Sequence, residues 1–77
     1  MMRDTPRTFV GAATFEVADL TTSENVRAVL RQLTAVPGVA GVAADILSST
    51  VTVTVRAPLD RADIAAAIRR AGHAVVV

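Results

Sequence analysis

Thr50-Val51-Thr52-Val53-Thr54-Val55 alternates threonine with valine over six residues. This period of two is the pattern of a strand with one buried face. All six side chains branch at Cβ, which suits a pleated sheet and restricts rotamers in a helix. No charge interrupts the run, so the strand is predicted to lie centrally in its sheet.

Outward from this strand, toward the N-terminus, residues 47–49 form a turn without the Asn-Gly signature of a two-residue hairpin. Residues 39–46 read as the partner strand, with Val42, Ala44 and Ile46 on one face. Pro37 and Gly38 terminate the preceding segment, because proline cannot continue a helical ladder. That segment places Val26, Val29, Leu30 and Leu33 at the i, i+3, i+4, i+7 spacing of an amphipathic helix. Thr21 followed by Glu24 has the form of a capping box at its start. Residues 8–17 read as a first strand, in which Phe15 and Val17 alternate with Thr14 and Glu16.

Toward the C-terminus, Ala57 and Pro58 are expected to break the central strand, and Asp60 to cap a second helix with Asp63 in its first turn. Ile64, Ala67, Ile68 and Ala71 form the buried stripe of that helix, Arg69 and Arg70 suit its C-terminal dipole, and Gly72 is its predicted cap. Residues 74–77 supply a fourth strand. The order is βαββαβ, which defines an α+β, ferredoxin-like sandwich with a four-stranded antiparallel sheet and two helices on one face. The other face is left open.

Composition narrows the function. With 77 residues the chain is one domain, and without cysteine it has no disulfide, thiolate site or thiol redox chemistry. The hydrophobic fraction of 52% is mostly alanine and valine, and Phe9 and Phe15 are the only aromatics, so the core is built from small branched side chains. Eight arginines against seven acids leave a net charge of +1, with no lysine. The arginines are scattered and unaccompanied by stacking aromatics, which argues against nucleic-acid binding. No apolar run approaches the roughly 18 residues of a membrane span, and residues 1–7 lack the apolar stretch of a signal peptide. Residues 1–7 are expected to be a disordered leader and residues 8–77 the folded domain, soluble and cytoplasmic. The apolar run that ends at Val77 reads as a domain edge.

Phe15-Glu16-Val17-Ala18-Asp19-Leu20-Thr21-Thr22-Ser23-Glu24-Asn25-Val26 resembles the V-x-G-M-T-C-x-x-C-V opening of heavy-metal-associated domains. Leu20 stands at the methionine, Thr21 at the threonine and Asp19 at the glycine. Pro37-Gly38-Val39-Ala40-Gly41-Val42 is similar to the family's P-G-V-x-x-V turn, and Ile64, Ile68, Ala71 and Gly72 match its I-x-x-x-I-x-x-A-G helix end. The resemblance spans residues 14–77. It implies the ferredoxin-like fold and a monomeric module of the metallochaperones or of the N-terminal region of metal-transporting P-type ATPases. Its partners would be proteins or other domains of a transporter. The two metal-binding cysteines, however, are replaced by Thr22 and Asn25. A hydroxyl and an amide are no substitute for the thiolates that hold soft Cu(I), and Zn(II) likewise loses its best ligands.

No metal site and no cofactor are therefore expected; Thr22, Asn25 and His73 are the positional candidates for weak, non-thiolate binding. His73, the only histidine, stands where the family commonly places an aromatic beside the metal loop. A lone histidine with scattered oxygens is not a ligand set, and packing explains it better. Asp19, Thr21, Ser23 and Glu24 are best read as helix-start residues, although oxygens at a helix N-terminus also suit an anion or a hard cation. Met1 and Met2 are thioethers in the leader, where chain initiation explains them. No catalytic set assembles, and Asp60 and Asp63 serve better as cap and dipole partner than as an acid/base pair. Two functions remain open: a degenerate heavy-metal-associated module that docks without carrying an ion, and a ferredoxin-like interaction or oligomerisation module unrelated to metals.

Overall fold

A computed structural model describes residues 7–76; residues 1–6 of the leader expected at 1–7, with Met1 and Met2, and Val77 lie outside the described residues. Five elements follow in order: β1 (Thr8–Glu16), α1 (Ser23–Thr34), β2 (Val39–Asp45), β3 (Thr50–Asp60) and α2 (Arg61–Arg70). The sheet is antiparallel with the order β1-β3-β2, so the Thr-Val strand is central as its composition predicts.

Alternation along β3 sorts the sheet into two faces. Val51, Val53 and Val55 are buried and share one core with Phe15 and Val17, with Val29 and Leu33 of α1, and with Ile64, Ala67 and Ile68 of α2. Both helices therefore lie on the same face, and they are held there by the apolar area they remove from water. Thr52 and Thr54 point the other way, level with Thr14 and Ala12 of β1 and with Ala43 and Gly41 of β2. At one end of this open face, Glu16, Thr50 and Asp45 form a row across the three strands.

Four departures from the sequence reading shape the sheet and the first helix's end. The sheet has three strands among the described residues rather than four. The segment expected to be the last strand makes one antiparallel bridge, Val17 with Val75, flanked by Ala18 N–H to the Ala74 carbonyl and Val76 N–H to the Glu16 carbonyl, both 2.8 Å. His73 is still engaged in the helix cap, which leaves residues 74–76 for pairing, and one bridge is less than a ladder. Second, β3 continues through Pro58 to Asp60. Beyond Val55 it has outrun β2, and residues 56–58 bulge opposite Val10 before Phe9 pairs with Leu59, so proline removes no ladder donor that the sheet needs. Gly11, at φ +82°, accommodates the irregularity on β1.

Third, α1 ends at Thr34, before the predicted stop at Pro37; the N–H of Val36 turns back to the Leu33 carbonyl at 3.1 Å. Fourth, β2 stops at Asp45, so Ile46 is 40% exposed in the turn instead of extending the inward face of Val42 and Ala44. The second helix follows its sequence signals closely. Asp60 Oδ1 accepts the Ala62 N–H at 2.8 Å. At the other end, Gly72 (φ +92°) donates to the Arg69 carbonyl while His73 N–H reaches the Ile68 carbonyl, the double closure of a Schellman motif. Arg61 covers the edge-to-face pair Phe9–Phe15, 5.3 Å and 5.9 Å from the two ring centroids.

Candidate functional site: the loop between the first strand and the first helix

The chain leaves β1 at Glu16 and passes through a tight turn before α1. Ala18 is fixed at both polar groups: its N–H donates to Ala74, and its carbonyl accepts from His73 Nδ1 at 3.0 Å. A carbonyl oxygen only accepts, so Nδ1 carries the proton and Nε2 is the remaining ring nitrogen. Asp19 adopts φ +61°, a left-handed conformation that aspartate tolerates better than most residues. Leu20 is then driven wholly into the core. This anchors the loop from below, and the Ser49 hydroxyl reaches the Leu20 carbonyl at 3.4 Å.

Thr22 is the helix N-cap, and Thr22 and Asn25 form a reciprocal capping box. Thr22 Oγ1 accepts the Asn25 N–H at 3.1 Å, while Asn25 Oδ1 accepts the N–H groups of Thr22 and Thr21 at 3.1 and 3.2 Å. The Thr21 hydroxyl also donates to Asn25 Oδ1 at 3.3 Å. The box is thus shifted by one residue from the Thr21–Glu24 pair suggested by the sequence. The spacing explains a further coincidence. A capping box joins N-cap to N3, three residues apart, which is the separation of the two cysteines in C-x-x-C. The residues standing at the cysteine positions have become each other's hydrogen-bond partners through the backbone.

The positional candidates therefore split. Thr22 and Asn25 meet, but their oxygens are occupied by donors of the helix start. His73 is tied to the same loop at Ala18 and offers one nitrogen. Among the described residues, no group of three or more His, Cys, Asp or Glu is gathered where a metal ion could be held. The donor set does not fit a soft metal: hydroxyl and amide oxygens are hard ligands, and a d¹⁰ Cu(I) ion selects thiolates. Elsewhere, a cleft of about 490 Å³ between the end of α1 and α2 is lined by Val36, Leu59, Asp63, Ala66 and Arg70 among others, and no Ser, Thr, Cys, His or Lys lines it. No helix among the described residues is long and apolar enough to cross a membrane.

Helix pair, antiparallel sheet and a helix-capping loop at the strand exit define a small split βαβ domain. The chain belongs to the heavy-metal-associated domain family, whose sequence model matches residues 14–74. No curated protein matches it by sequence. Among solved structures it is similar to the CopZ metallochaperone, with a TM-score of 0.79 at 20% identity over 84% of this chain and 98% of that one. Apo-CopP from Helicobacter pylori superposes with a TM-score of 0.75 at 28% identity, covering 84% of this chain and 98% of CopP. The HMA domain of the copper chaperone for superoxide dismutase gives 0.73 at 25% identity over 99% of this chain and 76% of that one. Modules of this family are non-catalytic.

Proposed function

We propose that this chain is a heavy-metal-associated domain that has given up ion carriage and acts as a docking or regulatory module within a metallochaperone or metal-transporter system. The observation that carries the reading is the Thr22–Asn25 capping box, which occupies the two ligand positions with a neutral hydrogen-bonded pair. The scaffold around them is kept: Leu20 remains buried, Gly72 closes α2, and the loop retains its turn. What remains available to a partner is surface rather than a bound ion. In this reading the module is cytoplasmic and works beside protein partners, including the cytosolic domains of a cation-transporting P-type ATPase. Titration with Cu(I) and with Zn(II), followed by backbone NMR and chelator competition, tests it. The expected result is no saturable shift at residues 22–25 at micromolar metal. Submicromolar binding localised there overturns the reading.

A further inference from the structure

We infer that the open sheet face pairs with a second copy of this chain in a transient, antiparallel, face-to-face dimer. The sheet's outer face is unusual in what it lacks. At its centre, Ala12, Thr14, Thr52 and Ala43 present only small side chains. The Thr14 and Thr52 hydroxyls bond to each other at 3.0 Å, which lowers the cost of taking them out of water. Val10 adds an apolar side chain that is 62% exposed. A solvated face of this kind would ordinarily carry long charged residues along its length; here the charges sit at the two ends and are of opposite sign.

The arrangement has a two-fold logic. Glu16 and Asp45 flank Thr50 in one row. Arg56 lies six residues further along the same central strand, at the first position of the irregular stretch; it follows the buried Val55, is itself exposed, and its N–H still bonds to the Gly38 carbonyl at 3.1 Å, which keeps it on the open face. A two-fold axis crossing β3 at Val53, in the plane between the sheets and perpendicular to the strands, exchanges positions 50 and 56. Each Arg56 is then placed over Thr50 of the other copy, between the carboxylates of Glu16 and Asp45, which lie on strands about 4.8 Å to either side. The axis parallel to the strands would instead stack acid on acid. Charge complementarity therefore selects an isologous dimer of one polarity.

Three strands about 20 Å long present a footprint on the order of 300 Å² per copy, well below the roughly 800 Å² per partner of a stable interface. The association is accordingly weak and concentration-dependent. It is independent of the metal reading, since no residue of the capping loop takes part.

Sedimentation velocity and concentration-dependent NMR shifts from micromolar to millimolar protein test the proposal with four samples. Wild type is expected to self-associate, with shifts at Ala12, Thr14, Thr52 and Ala43. R56E alone and E16R/D45R alone are expected to stay monomeric, each placing like charges together twice. An equimolar mixture of these two variants restores both ion-pair sets, so it associates, which loss of folding in either variant would prevent. A wild type that stays monomeric at millimolar concentration, a mixture that fails to associate, or shifts confined to the helices overturns the proposal.

Discussion

At the scale of single residues, Asn25 stabilises the loop more than its polar, half-buried setting suggests. Its one oxygen serves two backbone N–H groups that α1 cannot satisfy internally, and its own N–H is met by Thr22. Asn25→Ala and Thr22→Ala are each expected to cost about 1 kcal/mol, read as a fall of roughly 4–8 °C in the melting temperature of a domain this small. Asn25→Asp keeps the acceptor and adds a charge suited to a helix N-terminus, so it is expected to melt close to wild type. Equal losses for Asn25→Ala and Asn25→Asp would show that the oxygen is not what matters. Asp19 makes a separate point. At φ +61° a β-branched residue is strained, and Asp19→Val is expected to lower stability by about 1–2 kcal/mol. In Asp19→Gly, relief of the left-handed backbone is offset by the greater freedom of the unfolded chain, leaving stability within about 0.5 kcal/mol of wild type. Thermal unfolding of the two variants side by side checks the ordering.

At the scale of elements, the capping box and the metal loop compete for the same two positions, and this can be turned into a measurement. The Thr22→Cys/Asn25→Cys double variant removes both cap acceptors and places two thiols three residues apart at the start of α1. Without metal it is expected to be about 1–2 kcal/mol less stable than wild type. With Cu(I) it is expected to bind through two thiolates and to regain stability in proportion to RT ln(1 + [L]/Kd). Melting curves with and without Cu(I) report both halves, and a double variant indifferent to Cu(I) would show that the scaffold has lost more than its ligands. The same loop shows how far sequence reaches. The 3.6-residue period of Val26, Val29 and Leu33 fixes which face of α1 is buried, but not which residue opens it. Thr21 and Thr22 are adjacent hydroxyls, each followed three residues later by a residue able to complete a box, Glu24 or Asn25. A pattern cannot choose between them; the backbone hydrogen bonds do. In α2 there was no such ambiguity: Asp60 has no hydroxyl neighbour to compete with it as cap, and Gly72 is the one residue there suited to a left-handed C-terminal closure.

At the scale of the whole molecule, the legible features were those written in local periodicity, namely two helices and the strands β1, β2 and β3, while the features that needed register were hidden. That Glu16, Thr50 and Asp45 share a row follows from two strand pairings, and no window of sequence contains all three. The fourth strand failed for a similar reason, since four apolar residues do not say how many of them a helix cap leaves free for pairing. Stability is likewise a collective property. A chain of this length is expected to hold about 4–11 kcal/mol in total, most of it from a core of small side chains with few large ones to spare. Ile68 is fully buried against that core, and its carbonyl also receives the His73 N–H that closes α2. Ile68→Ala is expected to cost about 2–5 kcal/mol through lost transfer energy and an unfilled cavity, enough to leave a measurable unfolded population at physiological temperature. Ile68→Val removes one methylene and is expected to cost about 0.5–1.5 kcal/mol. Leu47, a larger apolar residue than valine but 98% exposed at the β2–β3 turn, gains nothing from folding, so Leu47→Ala is expected to stay within about 0.5 kcal/mol of wild type. Urea unfolding of the three variants separates burial from hydrophobicity. The order Ile68→Ala, Ile68→Val, Leu47→Ala in decreasing loss follows only if the single core formed by both helices and β3 holds the domain together.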